Sequence, residues 1–221
     1  VDGWTRIGEK NRIFKGACIG LPPQDLGYKE DETFVEIGGG NIIREYATIH
    51  RGTVSGSKTL IGSGNFLMAY CHVAHNCVLG NNITMANAAN LGGYVLVEDR
   101  AFIGGLVAVH QFCRIGSLAM VGAGIKVTKD IPPYLLADGF PAGIYGINSV
   151  GLRRADIAVE AGKNIKELYK IFYRSGLNLA QALAKIEKEL KQDEYVRHFT
   201  EFVRNSRRGI CLKKGNGNGN E

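Results

Sequence analysis

Four of the five histidines lie in the first half of the chain and carry side chains suited to proton transfer: His50, His72, His75 and His110. Gly93 follows His75 by eighteen residues, and Gln111 follows Gly93 by the same interval. An imidazole next to a glycine whose backbone N–H can be approached closely can act as a general base beside an oxyanion donor. The alternative is that these histidines are solvated corner residues. The choice depends on whether an interval of 18 brings residues together.

The interval matters because an apolar residue recurs at every sixth position from residue 61 to residue 127. The repeated residues are Ile61, Leu67, Val73, Leu79, Met85, Leu91, Val97, Ile103, Val109, Ile115, Val121 and Val127. A period of six matches neither a helix, with period 3.6, nor a strand, with period 2. It is typical of a parallel β-helix, in which each short strand buries one aliphatic side chain. Three hexads make one coil of 18 residues, so His75, Gly93 and Gln111 are predicted to stack on one face.

The repeat also predicts how the chain is divided. Residues 21–34 and 51–60 break the period and are predicted loops, which are common places for function. The hexads end near residue 129, and from Arg153 the apolar spacing becomes helical. We therefore predict a mainly β protein, with a parallel β-helix over residues 1–135 and an α-helical domain over residues 136–212. Residues 213–221 are predicted to be a disordered tail.

The charges are unevenly distributed along the chain. Residues 1–150 carry twelve Lys and Arg against twelve Asp and Glu, whereas residues 151–221 carry fifteen against nine. A basic helical region on a neutral body favours an acidic partner, although an ordinary solvated helical surface would give the same counts. No apolar run is long enough to cross a bilayer, and no secretory signal is present. Because the chain begins at Val1 within a repeat, we expect its natural N-terminus, with any targeting segment, to be missing.

The cysteines do not suggest a metal site. No Cys-x-x-Cys pair is present, and Cys71, Cys77 and Cys113 occupy the fifth position of their hexads, where a small buried residue fits. This pattern favours structural roles in a reducing compartment. We predict no metal, no cofactor and no nucleic acid partner.

Five stretches of the sequence resemble the bacterial UDP-N-acetylglucosamine acyltransferases, which catalyse the first step of lipid A biosynthesis. They are Pro23–Leu26, Thr48–Thr53, Phe66–Gly80, Val109–Cys113 and Tyr145–Arg154. The resemblance covers the chain apart from its tail and implies that the family's opening coils are missing. It implies a left-handed parallel β-helix followed by α-helices, assembled as a homotrimer with active sites between subunits.

The resemblance also implies a reaction. An (R)-3-hydroxyacyl chain would move from acyl carrier protein to the 3-hydroxyl of UDP-N-acetylglucosamine. His75 would be the general base and the backbone N–H of Gly93 the oxyanion donor, in agreement with the predicted column. Ala123 stands where the family measures acyl length, and its methyl group is expected to shorten the preferred chain. The expected location is the cytoplasm, or a mitochondrion or other organelle if the source is eukaryotic and a transit peptide is missing.

Further residues match positions that the family uses to bind its substrates: Gln24, Asp25, His72, Tyr94, His110, Gln111, Asn148 and Arg154. The resemblance assigns Asp25 to the sugar, and Asn148 and Arg154 to the nucleotide. An arginine suits this role because its planar fork pairs with phosphate oxygens. The chain departs from the family pattern at Tyr94, often His, and Asn76, often Asp. Further departures at Gly27, Val150 and Ala155 bear on nucleotide affinity and sugar preference more than on the chemistry.

Two other functions remain open. One is the paralogous N-acyltransferase of the same pathway, which acts on an amino sugar and lacks the Pro-Pro-Gln-Asp-Leu and His-Gln-Phe-Cys runs seen here. The other is a non-catalytic β-helix scaffold subunit. A scaffold of the metal-binding type needs histidine ligands from neighbouring coils, but the positions 18 residues either side of His75 are Ser57 and Gly93.

Overall fold

Each hexad contains one short strand and one turn. In the computed structural model, which describes residues 1–213, every strand from Phe66 to Val127 is two residues long and its second residue is buried. The turn after a strand places one residue in the left-handed backbone region, as at Asn76 (φ 59°) and Tyr94 (φ 60°). Three corners in each coil produce a left-handed parallel β-helix with three sheets. The aliphatic side chains fill its interior, and Leu91 has no exposed surface.

The strands fall into three sheets. Sheet I contains β1 Trp4–Ile7, β4 Phe34–Ile37, β7 Lys58–Ile61, β10 Val78–Leu79, β13 Leu96–Val97 and β16 Arg114–Ile115. Sheet II contains β2 Arg12–Ile13, β5 Ile42–Ile43, β8 Phe66–Leu67, β11 Thr84–Met85, β14 Phe102–Ile103, β17 Met120–Val121, β19 Leu135–Asp138 and β20 Gly143–Ile147. Sheet III contains β3 Cys18–Leu21, β6 Thr48–His50, β9 His72–Val73, β12 Asn90–Leu91, β15 Ala108–Val109 and β18 Lys126–Val127.

Neighbouring coils pair with the register that the hexads predict. Leu96 lies beside Val78, an offset of 18 residues. The offset is 30 between β1 and β4, and 24 between β6 and β9. The additional residues leave the β-helix as two loops, 22–33 and 51–57, at the two places where the period breaks.

The β structure continues beyond the predicted boundary at residue 135. Strand β19 pairs in parallel with β17, and β20 folds back antiparallel onto β19. The first helix begins at Ser149 rather than at residue 136. The hexad pattern ends earlier, but Leu135 and Ala137 still alternate with outward residues, as a strand requires.

Four helices follow the β-helix: α1 Ser149–Arg154, α2 Val159–Arg174, α3 Leu179–Glu189 and α4 Glu194–Arg204. Their apolar faces are buried, and Phe199 and Phe202 of α4 are among the largest fully buried side chains. Side-chain caps from Asn148, Asn178 and Asp193 begin α1, α3 and α4. The helical core is continuous with the interior of the β-helix.

Several sequence predictions concern absences or the tail. All five cysteines are free thiols. Within residues 1–213, no group of three metal-ligating side chains is found. No helix in this part of the chain is both long and apolar enough to cross a membrane. Of the predicted tail, Lys213 forms a bridge with Ile144, and residues 214–221 lie outside the described residues.

Candidate active site

His75, Gly93 and Gln111 occupy the same corner of three successive coils, as the interval of 18 predicts. The backbone N–H of Tyr94 donates to His75 O, and that of Phe112 donates to Gly93 O, each at 3.0 Å. The imidazole of His75 lies directly against Gly93. A Cβ atom on residue 93 would be only 2.3 Å from His75 Cε1 and 2.5 Å from Nε2. Glycine at residue 93 therefore allows the imidazole its close approach, and no left-handed backbone is involved.

The two groups needed for acyl transfer each have an unused hydrogen-bonding position. The Nδ1 atom of His75 lies 3.0 Å from Asn76 Oδ1, which is an acceptor. The neutral ring therefore carries its proton on Nδ1 and its lone pair on Nε2. Neither His75 Nε2 nor the backbone N–H of Gly93 forms a hydrogen bond within the described part of the chain. A base and a hydrogen-bond donor thus stand side by side.

A cavity of about 370 Å³ opens beside this corner. Its walls are Gln24, His50, His72, Ala74, His75, Gly92, Gly93, Val109, His110 and Gln111. Six of the predicted site residues are therefore brought together. Sheet III and its corners supply the histidines, and the loop 22–33 supplies Gln24.

His50 also lines the cavity; it was a candidate histidine in the sequence, but no role in the site was predicted for it. Its Nδ1 atom lies 2.6 Å from Pro22 O, and its ring packs edge-on against His72 with centroids 5.2 Å apart. The contact with Pro22 holds the base of the loop that carries Gln24. The available signal was its place directly after buried Ile49, at the start of a period break.

Two further histidines, His72 and His110, line the cavity beside the base. His72 Nδ1 lies 2.7 Å from Thr48 Oγ1. The pKa of His72 is lowered to about 4, mainly by burial and to a smaller extent by positive charge on His50 and His75. His110 is more exposed, with Nδ1 3.1 Å from Gln111 O. An uncharged His72 contributes polarity to the cavity without adding a positive charge beside the base.

Tyr94 is placed behind the base and not in the cavity wall. Its ring meets His75 edge-on at 5.4 Å and stacks on Phe112 at 4.9 Å. Its hydroxyl lies 3.1 Å from Thr53 Oγ1. In this structure Tyr94 contacts the base and the loop 51–57, so a direct role in substrate binding stays a prediction.

Asp25 lies on the exposed loop 22–33, outside the cavity wall. Its Oδ1 atom accepts a hydrogen bond from Gly27 N at 2.8 Å. The loop is anchored by Arg51, which donates to the Tyr28 hydroxyl and stacks on the ring of Trp4. Asp25 therefore follows Gln24 in the chain, but its carboxylate does not reach the cavity beside His75.

Asn148 and Arg154 lie at a different face of the β-helix. They line a cavity of about 570 Å³, together with outward residues of sheet II. Asn148 is buried and caps α1: its side chain accepts from Gly151 N at 2.9 Å and donates to Leu118 O at 2.8 Å. One chain alone therefore does not unite these residues with His75.

Ala123 is also separate from the cavity beside His75. It is exposed at the corner before β18, whereas Gly93 is at the corner after β12. The two residues therefore lie at opposite edges of sheet III. The backbone N of Ala123 stacks closely on Gly104, where a Cβ atom would be 2.7 Å away.

Comparison with known proteins identifies the family. Residues 130–211 match the family model described as UDP-N-acetylglucosamine O-acyltransferase, domain 2. The chain is 50% identical to the acyl-[acyl-carrier-protein]–UDP-N-acetylglucosamine O-acyltransferase of Thermodesulfovibrio yellowstonii, over 96% of this chain and 82% of the relative. Identity to the enzyme of the same name from Syntrophobacter fumaroxidans is 47%, over 95% and 82%.

The fold gives the same result. The crystal structure of a UDP-N-acetylglucosamine acyltransferase from Bacteroides fragilis matches with a TM-score of 0.92 and 44% identity, over 94% of this chain and 82% of that one. The sequence identity extends through both the β-helix and the helices, because the matched region covers nearly the whole chain. The chain therefore belongs to the UDP-N-acetylglucosamine O-acyltransferase family.

Proposed function

We propose that this protein transfers an (R)-3-hydroxyacyl chain from acyl carrier protein to the 3-hydroxyl of UDP-N-acetylglucosamine, the first step of lipid A biosynthesis. The relatives named above carry both substrates in their names. The observation that carries the proposal is the position of the His75 imidazole against Gly93 at the edge of a polar cavity. The proposal includes no cofactor and no metal.

The mechanism follows from the two free groups. As the sugar hydroxyl attacks the thioester carbonyl, His75 Nε2 removes its proton, and the carbonyl oxygen gains negative charge. The backbone N–H of Gly93 donates to this oxygen, which stabilises the tetrahedral intermediate. Collapse of the intermediate breaks the C–S bond, and the protonated imidazole returns its proton to the departing thiolate. The base is needed because an alcohol is a poor nucleophile at neutral pH.

Substrate recognition on this proposal falls to the remaining polar groups. Gln24, His110 and Gln111 line the cavity and can form hydrogen bonds with the sugar and with the 3-hydroxyl of the acyl chain. Asp25 would bind the sugar from the adjoining loop. Arg154 would pair with the pyrophosphate, and Asn148 would hold the same nucleotide through its position at the start of α1. Ala123 would limit the acyl chain at the far edge of sheet III.

The division of these residues between two faces favours a homotrimer. Asn148 and Arg154 can complete the site around His75 if a neighbouring copy presents them. Mixing subunits tests this arrangement. The His75→Ala and Arg154→Ala chains are each expected to have little activity alone. Refolded together at random, they should recover about a quarter of the wild-type activity, since one site in four would combine two intact residues. Absence of recovery would contradict shared sites.

The basic helical region is the proposed docking surface for acyl carrier protein, a generally acidic partner. Arg153 and Lys166 line a cavity of about 560 Å³ formed by α1 and α2. No carboxylate within residues 1–213 lies in ion-pair distance of either side chain. Their charges are therefore available to a partner, and affinity for the carrier should fall as salt rises. Substrates of this kind favour a cytoplasmic location, with an organelle as the alternative in a eukaryotic source.

A direct assay tests the reaction. The purified protein is incubated with 3-hydroxyacyl carrier proteins of several lengths and with UDP-N-acetylglucosamine, and the products are identified by mass spectrometry. UDP-3-O-acyl-glucosamine, which carries a free amine at the 2-position, serves as the competing acceptor. We expect an ester on the sugar hydroxyl. Exclusive transfer to an amine would indicate the N-acyltransferase, and no transfer to any acceptor would support a scaffold.

A further inference from the structure

The loop 51–57 places one side chain behind the base. Thr53 is buried, with 8% of its surface exposed, and does not line the cavity beside His75. Its backbone N–H donates to Asn76 Oδ1 at 3.1 Å, and its hydroxyl reaches the same oxygen at 2.9 Å. The Tyr94 hydroxyl lies 3.1 Å from Thr53 Oγ1. Thr53 thus contacts the residue that contacts His75 Nδ1.

Two donors of Thr53, its backbone N–H and its hydroxyl, hold the oxygen of the Asn76 amide. An asparagine side chain carries an oxygen and an NH2 group of nearly the same shape, so only its hydrogen-bond partners define its orientation. A backbone N–H can only donate. Rotation of the amide by half a turn would set its NH2 group against the Thr53 N–H, donor against donor. The oxygen must therefore face Thr53.

The direction of the other hydrogen bonds follows. The Thr53 hydroxyl donates to Asn76 Oδ1, because that oxygen can only accept. The Tyr94 hydroxyl then donates to Thr53 Oγ1. His75 Nδ1 meets the same Asn76 oxygen at 3.0 Å and must supply a proton to it. The network thus runs in one direction from Tyr94 to Asn76 and leaves the lone pair of His75 on Nε2.

We infer that Thr53 is a positioning residue, which fixes the tautomer of the catalytic base by holding the Asn76 amide in one orientation. The inference rests on the acyl transfer proposed above. A flipped amide would present NH2 to His75 Nδ1 and would favour the tautomer protonated on Nε2. That tautomer cannot accept the proton of the sugar hydroxyl.

The surrounding contacts keep both residues in place. The Asn76 backbone N–H donates to Thr59 Oγ1 at 2.8 Å, and its φ of 59° is one that asparagine adopts readily. Arg51 is buried and donates to Gly20 O at 3.0 Å. Gly56 N donates to Glu32 O at 2.9 Å. The loop 51–57 is therefore tied to the β-helix and to the loop 22–33.

Three variants separate positioning from packing. Thr53→Val keeps the shape and removes the hydroxyl, Thr53→Ser keeps the hydroxyl, and Tyr94→Phe removes only the outermost link. We expect Thr53→Val to lower kcat severalfold, because only the second donor to Asn76 Oδ1 is lost while the backbone N–H of residue 53 remains, with KM for UDP-N-acetylglucosamine nearly unchanged. Thr53→Ser should retain most of the wild-type kcat, and Tyr94→Phe should fall between the two. If Thr53→Val does not fold, Tyr94→Phe carries the same test.

A chemical probe reads the tautomer independently of acyl transfer. Diethyl pyrocarbonate modifies an unprotonated imidazole nitrogen, and peptide mass spectrometry measures the rate at His75 with the more exposed His110 as an internal reference. Modification of His75 should be slower in Thr53→Val than in Thr53→Ser. Equal kcat and equal modification rates in wild type and Thr53→Val would overturn the inference. If the wild type transferred no acyl group while Thr53→Val still slowed modification, the proposed function would fail and the positioning role would stand.

Discussion

Two histidines of this chain use their ring nitrogens in opposite ways. His198 uses both, because the Tyr134 hydroxyl lies 2.7 Å from Nδ1 and a Glu98 carboxylate oxygen lies 2.8 Å from Nε2. His75 uses only Nδ1, at Asn76, and its Nε2 has no hydrogen bond within the described residues. A ring with both nitrogens occupied cannot take a proton from a substrate. A ring with a fixed tautomer and one free nitrogen can.

The partners of His198 show what a structural histidine does. Burial alone would raise the pKa of Glu98, but hydrogen bonding and positive charge from His198, with smaller contributions from Ser117 and Arg114, lower it below its usual value. The ionised Glu98 belongs to the β-helix and His198 to α4, so the pair joins the two parts of the molecule. The comparison shows that the two roles differ in whether Nε2 forms a hydrogen bond, more than in how deeply the ring is buried.

The largest expected effect comes from removing the free nitrogen. His75→Ala should lower kcat by about 10³-fold, within the usual range for a general base. Its melting temperature and oligomeric state should match the wild type, because the side chain borders a cavity. Steady-state assays and thermal unfolding measure both. A His75→Ala variant that keeps its activity would contradict the assignment of His75 as the general base.

A smaller loss is expected when the base is displaced without being removed. In Gly93→Ala the new Cβ atom would fall 2.3 Å from His75 Cε1, so the ring must move. A shift of about 1 Å at a reacting group can cost about 10²-fold in rate. Gly105→Ala is a matched control in the same solenoid, where the nearest atom is 3.2 Å away. Equal activity in the two variants would show that the approach of His75 to Gly93 is not needed.

The structural histidine should give the opposite result. His198→Ala leaves Glu98 and Tyr134 without a shared partner and should lower the free energy of unfolding by about 2 kcal/mol. Activity per folded protein should change little. Chemical denaturation at neutral pH, followed by assays on the folded fraction, measures the two quantities. A loss of activity without a loss of stability would reverse the roles drawn above.

The pH dependence sharpens that prediction. Because the pKa of Glu98 is lower in the folded protein than its usual 4.5, the carboxylate stabilises the fold above that pH. This contribution is lost as pH falls below 4.5 through the folded value. The difference in stability between wild type and His198→Ala should therefore shrink in that range. A difference that stays constant down to pH 3 would exclude the Glu98 contact as its cause.

The smallest effect concerns the end of the acyl chain that lies far from His75. If Ala123 limits acyl length at the opposite edge of sheet III, then Ala123→Gly should shift the ratio of rates for longer and shorter donors roughly tenfold towards the longer, as expected for one methyl group in an apolar site. Competition between acyl carrier proteins in one mixture measures the ratio. Unchanged ratios would separate Ala123 from the acyl site while leaving the role of His75 intact.

The sequence predicted the parts of the site that depend on periodicity. His75, Gly93 and Gln111 could be aligned because their interval equals one coil, and the two loops could be placed because the period breaks there. Thr53 was missed as a site residue since it lies inside such a break, where no register applies. His198 was missed because its partner Glu98 is 100 positions earlier in the chain, and no local pattern predicts so distant a contact.

Motif resemblance alone did not show where matched residues lie. Asn148 matched a nucleotide-binding position, but its side chain also caps α1, a role that requires knowing where the helix begins. The predicted domain boundary at residue 135 came too early because β19 and β20 keep strand alternation after the hexads end.

The most direct test of the central claim is the pH dependence of kcat/KM, which reports ionisation of the free enzyme. If His75 is the base, kcat/KM of the wild type should fall tenfold for each pH unit on the acid side, as the imidazole becomes protonated. The residual activity of His75→Ala should lack this acid limb. An acid limb of the same slope and midpoint in His75→Ala would show that another group removes the proton.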